Sequence, residues 1–226
     1  MIEFHNIIKT YNNGHEALNG VTAKLEAGEM AFLTGHSGAG KSTLLKLINL
    51  IERPSKGHVV VDKINLSTLP SSRIPWHRRK IGMVFQNNLL LNDRTISANI
   101  ALPLEIAGIR DDEIKKRVRV ALNKVDLLKH HKKYPETLSS GEQQRVGIAR
   151  AIVSKPQVLL ADEPTGNLDP DLSRNIMSLF EQFSQSGVTV LIATHDIGLI
   201  QEMPFRVIQL EKGQLLNDSG SSHFNG

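Results

Sequence analysis

The chain has 226 residues, no cysteine, and 27 Lys and Arg against 23 Asp and Glu, for a formal charge of +4. That length suits one sizeable core and no internal repeat is visible, so a single domain is expected over 1–226. The composition excludes disulfides and thiolate metal sites, no apolar run reaches bilayer-spanning length, and residues 1–10 lack a signal-peptide core, so a cytoplasmic protein, free or peripheral to a membrane, is expected.

In chain order, Ile2 to Leu25 reads as short β-like stretches around the polar turn Asn12-Asn13-Gly14. Met30-Ala31-Phe32-Leu33 reads as a short buried strand, and Gly35-His36-Ser37-Gly38-Ala39-Gly40-Lys41-Ser42-Thr43 fills every position of the phosphate-binding loop G-x-x-x-x-G-K-[ST]. Glycines let the backbone wrap a phosphate with its N–H groups inward, Lys41 reaches the β and γ oxygens, and Ser42 offers a hydroxyl to Mg²⁺. A helix from Thr43 to Ile51 is expected, with Leu44, Leu47, Ile48 and Ile51 on one face and Arg53-Pro54 as its stop. Strand, loop and helix in that order aim a helix N-terminus at an anion, so a nucleoside triphosphate site is implied.

His58 to Asp62 is a further strand, and Lys80 to Phe85 leads into Gln86, polar at a strand end. Basic clusters at His77-Arg78-Arg79-Lys80, Lys115 to Arg119 and Lys129 to Lys133 are read either as solvated faces or as contacts for an anionic membrane surface or polar partner. With only Trp76, two tyrosines and seven phenylalanines, base stacking has no support and nucleic acid is not expected as a partner. From about 87 to 153 the pattern is helical. Asp111-Asp112-Glu113 opens a helix whose Ile114, Val118, Ala121, Leu122 and Val125 share a face, with the acidic residues favourable at its start. Leu89-Leu90-Leu91 is either a contact surface or part of this subdomain's core.

Ser139-Ser140-Gly141-Glu142 opens another helix; by itself Ser139-x-x-Glu142 is a capping box. Val158 to Ala161 is a buried strand delivering two carboxylates, Asp162, placed to hold Mg²⁺, and Glu163, placed to polarise an attacking water. Asn167-Leu168-Asp169 follows in a turn, and a strand from Val188 to Ala193 carries His195 to where it can reach a γ-phosphate. Asn217 to Gly226, rich in Ser, Gly and Asn, reads as a mobile tail.

With phosphate loop, Gln86, signature, Asp162-Glu163, Asp169 loop and His195 in this order, the chain resembles the ATP-binding cassette family. The resemblance implies an α/β fold: a P-loop core with a mainly parallel, RecA-like sheet (about 1–86 and 154–216), an N-terminal antiparallel β layer, and an inserted helical subdomain (about 87–153). It implies an ATPase using ATP and Mg²⁺, with Tyr11 where the family stacks an aromatic on adenine, and with Ser42, Gln86 and Asp162 at the metal. It also implies head-to-tail dimers in which Ser139, Ser140, Gly141 and Glu142 meet the partner cassette's ATP and Asp169 lies at the dimer loop. The family's usual signature has two glycines where this chain has Ser140-Gly141; if the first needs a positive φ, serine there is strained by roughly 1 kcal/mol. Gly28 to Lys41, with His36 inside the loop, Asp93-Arg94-Thr95, Leu159 to Leu168 and Ala193 to Asp196 are similar to the bacterial cell-division branch of the family, which implies an integral membrane partner at the cytoplasmic face of the inner membrane. ATPases of lipoprotein release or macrolide export share Asp162 to Asp169; soluble cassettes of DNA repair or translation are a more distant alternative, disfavoured by the lack of a coiled-coil insertion or second cassette.

Overall fold

A computed structural model describes residues 1–220 apart from Asn167. Two sheets organise it. β1 (Ile2–Thr10) and β2 (Glu16–Leu25) form an antiparallel pair, and β4 (Lys56–Val61) and β5 (Ile64–Asn65) extend it in the order β2-β1-β4-β5. β1 alternates buried and open residues, as a strand with one covered face must. The second sheet runs β10-β9-β3-β8-β7-β6, built from β3 (Met30–Thr34), β6 (Ile81–Val84), β7 (Val158–Asp162), β8 (Thr189–Ala193), β9 (Arg206–Glu211) and β10 (Gln214–Asp218). It is parallel except for the closing β9-β10 hairpin.

The central strands β3, β7 and β8 are buried nearly end to end, as parallel strands covered on both faces are. Their period of two divides them between two cores. Met30, Phe32, Leu159, Ala161, Val190 and Ile192 face the helical side, with α3 (Ile96–Ile106), α4 (Asp111–Lys124), α5 (Ser140–Ile152) and α6 (Pro170–Gln185). Ala31, Leu33, Val158, Leu160, Leu191 and Ala193 face the core shared with α1 (Lys41–Ile48) and the antiparallel layer. Among the described residues the other elements are the short helices α2 (Ile74–Arg78) and α7 (Ile197–Glu202) and four 3₁₀ turns.

Three expectations are corrected. The helix after the phosphate loop starts at Lys41 and ends at Ile48, so Ile51 lies beyond it and is 44% exposed. It stops where Leu50 turns left-handed (φ 53°), before Arg53-Pro54 is reached. The basic run 77–80 is not simply a solvated or membrane-facing patch, because two members close that helix end. His77 Nε2 lies 2.7 Å from the Ile48 carbonyl, and Arg78 donates to the carbonyls of Asn49 (3.1 Å) and Leu50 (2.9 Å). Helix C-termini leave carbonyls without intrahelical donors, and the Arg78 cation there also complements the helix dipole. Finally, Asn217 and Asp218, expected in a mobile tail, instead complete β10, and the Asp218 carboxylate pairs with Arg206 at 2.7 Å. The rest of that expectation, 221–226, lies outside the described residues.

Candidate active site

The loop 35–40 follows the carboxyl end of β3 and lines a cleft of about 720 Å³. Its glycines are dictated by geometry. Gly40 has φ 105°, and a Cβ there would sit 2.7 Å from the Ala17 carbonyl oxygen; a Cβ on Gly35 (φ 146°) would run into the Leu210 carbonyl. The Lys41 side chain, 8% exposed, folds back so that its ammonium donates to the carbonyls of Gly35 (2.7 Å) and His36 (3.3 Å), 3.9 Å from a Glu163 oxygen. A buried ammonium held by neutral carbonyls at a loop mouth is poised for an anion with several oxygens.

Ser42 Oγ donates to Asp162 Oδ1 at 3.0 Å, joining the start of α1 to the end of β7. Burial pushes the Asp162 carboxyl above its ordinary value; the Ser42 hydrogen bond opposes this and the neighbouring Glu163 charge adds to it. Glu163 adopts φ 50°, uncommon for a residue with a side chain, while its N–H donates to the Ala193 carbonyl on β8 at 2.8 Å. The left-handed turn puts its carboxylate in the cleft, 2.8 Å from His195 Nδ1. The His195 ring is 68% exposed. Tyr11 reaches Thr43, hydroxyl to hydroxyl, at 3.3 Å, with the Lys9 ammonium 5.0 Å from its ring. Gln86, just past β6, lines the same cleft.

The structure thus gathers Tyr11, Gly35, His36, Ser37, Gly38, Ala39, Gly40, Lys41, Ser42, Thr43, Gln86, Glu163 and His195 around one cavity, with Asp162 bonded behind Ser42. Ser139, Ser140, Gly141, Glu142 and Asp169 do not line it. They form a separate surface where α5 and α6 begin. Ser139 caps α5 with a complete capping box, Glu142 accepting the Ser139 N–H at 2.8 Å, and Asp169 caps α6 by accepting the Leu172 N–H at 2.9 Å. The strain anticipated at Ser140 does not arise, because Ser140 is an ordinary first-turn helical residue without a positive φ. The steric demand falls on Gly141, where a Cβ would overlap the Leu172 side chain of α6.

Sequence reasoning missed His15, Gln209 and Glu211, which also line the cleft and carry no motif, being brought in by β2 and the β9 end. It also missed what holds the chain after Gln86. Asn99 is fully buried: its Nδ2 is within hydrogen-bond reach of the Leu91, Arg94 and Thr95 carbonyls (3.0–3.2 Å), and its Oδ1 accepts the Leu91 N–H at 2.7 Å. Arg150 of α5 donates to the carbonyls of Leu89 (2.7 Å) and Asn88. A buried Asn just inside a helix and an Arg in an apolar-periodic one were the available signals.

A strand, glycine loop and helix with a buried lysine, a Ser–Asp pair and a carboxylate–histidine pair at neighbouring strand ends define a P-loop nucleotide-binding domain. A family model described as ABC transporter matches residues 18–166, so the chain belongs to the ATP-binding cassette family and is an ATPase of that type. It is similar to the cell division ATP-binding protein FtsE of Escherichia coli, with 57% identity over 215 residues, covering 95% of this chain and 97% of the relative. The Bacillus subtilis protein of the same name is 44% identical, covering 99% and 98%. Among solved structures, the ATP-binding cassette MJ0796, a dimer in a post-hydrolysis state bound to ADP and Pi, superposes with a TM-score of 0.89 at 35% identity, covering 96% of this chain and 97% of that one.

Proposed function

We propose that this chain is the ATP-binding and ATP-hydrolysing subunit of an FtsE-like complex. It works as a homodimer of cassettes with an integral membrane protein of FtsX type, at the cytoplasmic face of the inner membrane, in cell division and the control of cell-wall hydrolysis. The carrying observation is the convergence of Lys41, the Ser42–Asp162 pair and the Glu163–His195 pair on one cleft. The 57% identity to an FtsE over nearly both full lengths supports the cell-division assignment. Among the described residues no helix is long and apolar enough to cross a membrane, so membrane attachment would run through the partner.

In this reading Tyr11 stacks on adenine, residues 35–43 wrap the phosphates, and Lys41 exchanges its two carbonyls for β and γ oxygens. Ser42, Asp162 and Gln86 are oxygen donors and suit Mg²⁺, which prefers few protein ligands and keeps phosphate and water oxygens; among the described residues no cluster of three or more His, Cys, Asp and Glu offers a metal site of another kind. Bound there, the ion would neutralise charge on the phosphates. Glu163 orients a water in line with the γ-phosphorus and draws its proton as the new P–O bond forms and the bond to the bridging oxygen breaks, releasing ADP and phosphate. His195 spends Nδ1 on Glu163 and leaves Nε2 for the γ-phosphate. The Ser139–Glu142 turn and Asp169 meet the ATP and loop of the second cassette.

The partner's cytoplasmic segment has a place to dock. A groove of about 530 Å³ between the helical subdomain and the core is lined by Met83, Phe85, Leu89, Ile106 and Arg150, just past Gln86. Leu89 is 58% exposed there and Leu91 38%, whereas Leu90 is partly buried against the core, so in this reading Leu89 is the leucine offered to the partner. Glu163→Gln is expected to bind ATP, cut turnover by at least about 100-fold and accumulate closed dimers, while Lys41→Ala loses ATP affinity. Wild-type turnover in Glu163→Gln would refute its assignment. Co-expression with an FtsX-type protein is expected to move the chain to the membrane pellet; recruitment by an export permease instead would overturn the cell-division part.

A further inference from the structure

A second concave site lies at the other end of the sheet. Parallel strands β7 and β8 point their carboxyl ends at the nucleotide cleft. Their amino ends, at Gln157 and Val188, join α4, the end of α5 and the end of α6 around a cavity of about 640 Å³. Its floor is apolar, with Ala121, Ile152, Leu159 and Phe183 all buried, and Val120 stands 58% exposed at the edge. Val120 thus extends the apolar floor to the opening of the cavity.

The rim is basic. Lys116, Arg117, Lys124 and Lys155 surround the opening against a single carboxylate, Glu113, an excess of three positive charges. Arg117 already holds Glu113 at 2.7 Å, and the Lys124 ammonium lies 5.3 Å from the Phe183 ring centre. On α4 the positions 116, 120 and 124 follow one another at four-residue spacing, so Lys116, Val120 and Lys124 share a stripe. This stripe lies beside the face formed by Ile114, Val118 and Leu122, which belongs to the core. The basic cluster 115–119 therefore presents two of its members, Lys116 and Arg117, to a cavity.

We infer that this cavity is a docking site for an acidic peptide segment of a partner protein, one that seats a single large apolar side chain on the Phe183 floor and sets carboxylates against Lys116, Lys124 and Lys155. Charge complementarity selects the sign of the occupant and the recessed apolar floor selects its anchor. A flat bilayer fits less well, since the apolar surface lies behind the rim and does not project. A phosphate ligand fits less well too, as the floor is apolar and the lining holds one glycine, Gly187, in place of a glycine-rich loop. The occupant would bridge α4 and α5 of the helical subdomain to β7, β8 and α6 of the core, far from the phosphates, and so could tune their relative motion without touching ATP.

The test uses the full chain and a fluorescein-labelled decapeptide of Glu and Ser around one central Leu, read by fluorescence anisotropy. Saturable binding is expected below about 1 mM, weakening as salt rises through the range where the Debye length drops from about 10 Å to 3 Å. Lys116→Glu/Lys155→Glu is expected to weaken it about tenfold, replacing the Leu by Ser to weaken it to a similar extent, and replacing Glu by Gln to remove it. Affinity of the double variant for an ATP analogue should stay within twofold of wild type, which shows that it is folded; Lys116→Gln/Lys155→Gln serves if it is not. The proposal is overturned if the peptide fails to bind, if its Gln version binds equally, or if the charge variants bind it as wild type does. It is equally overturned if phosphatidylglycerol vesicles bind through Lys116 and Lys155 while the peptide does not, since the occupant is then a lipid.

Discussion

Replacing Arg150 by methionine tests how the signature helix holds the segment after Gln86. The guanidinium donates to the carbonyls of Asn88 and Leu89, and these residues have φ of 53° and 46°. A left-handed conformation costs a non-glycine residue roughly 1 kcal/mol, so two in succession persist only if something holds them. Hydrogen bonds from a charged donor contribute about 1.5–3 kcal/mol each. Arg150 is only half-buried and water can replace part of that, so Arg150→Met should lose about 2 kcal/mol in total. For a chain of this size that is a fall of about 4–8 °C in Tm, with a matching shift of the urea midpoint and no change in slope. Hydrogen exchange by mass spectrometry should show faster exchange over residues 87–91 with β7 and β8 unaffected. Arg150→Lys, a point cation without the planar fork, should recover less than half of the loss. If Arg150→Met lies within about 0.5 kcal/mol of wild type and exchange over 87–91 is unchanged, the latch does not exist and the reasoning from these two carbonyls is wrong.

Other substitutions probe separate parts of the molecule. Asn99→Ala abandons the Leu91 N–H and the Arg94 carbonyl, leaving the Leu91 and Thr95 carbonyls with their backbone donors alone, and should cost about 1–3 kcal/mol by urea denaturation. Ser140→Gly should change stability by no more than about 1 kcal/mol, since the serine is helical, whereas Gly141→Val should cost about 1–3 kcal/mol by forcing α5 and α6 apart at Leu172; equal losses would remove the packing account of the signature glycine. Burial holds the His77 imidazole below its ordinary pKa of about 6.5, so it is neutral when folded and the unfolded chain binds the extra proton. Its contribution is complete above that unfolded value and is lost as pH falls from there toward the folded one, at no more than about 1.4 kcal/mol per pH unit; denaturation of His77→Gln between pH 7 and 5 should lack this component.

What could be read from the sequence is what chemistry imposes on contiguous residues. Gripping a phosphate chain needs glycines, one ammonium and one hydroxyl within nine positions, so residues 35–43 announce themselves, and an apolar strand ending in Asp162-Glu163 does nearly as much. The rest depends on pairings that adjacency does not encode. Nothing local says that Glu163 turns left-handed on a bond to Ala193, or that this turn brings its carboxylate to a histidine 32 residues away. The basic run at 77–80 looked like surface because composition reports charge and not the carbonyls of Ile48, Asn49 and Leu50 that His77 and Arg78 find 28 to 29 residues upstream. The same limit hid Arg150, and its placement changes how the two halves of the domain relate. Gln86 lines the cleft, the next residues are clamped to α5, and α5 begins at the Ser139 turn, which does not line that cleft. A shift of Gln86 would therefore be passed along the backbone to Asn88 and Leu89, through their hydrogen bonds with Arg150, and along α5 to the Ser139 turn. A double substitution, Gln86→Ala with Arg150→Met, should then be non-additive in ATP turnover by about 1 kcal/mol or more, because each change cuts the same connection; strict additivity would mean that the cleft and the signature surface communicate by another route.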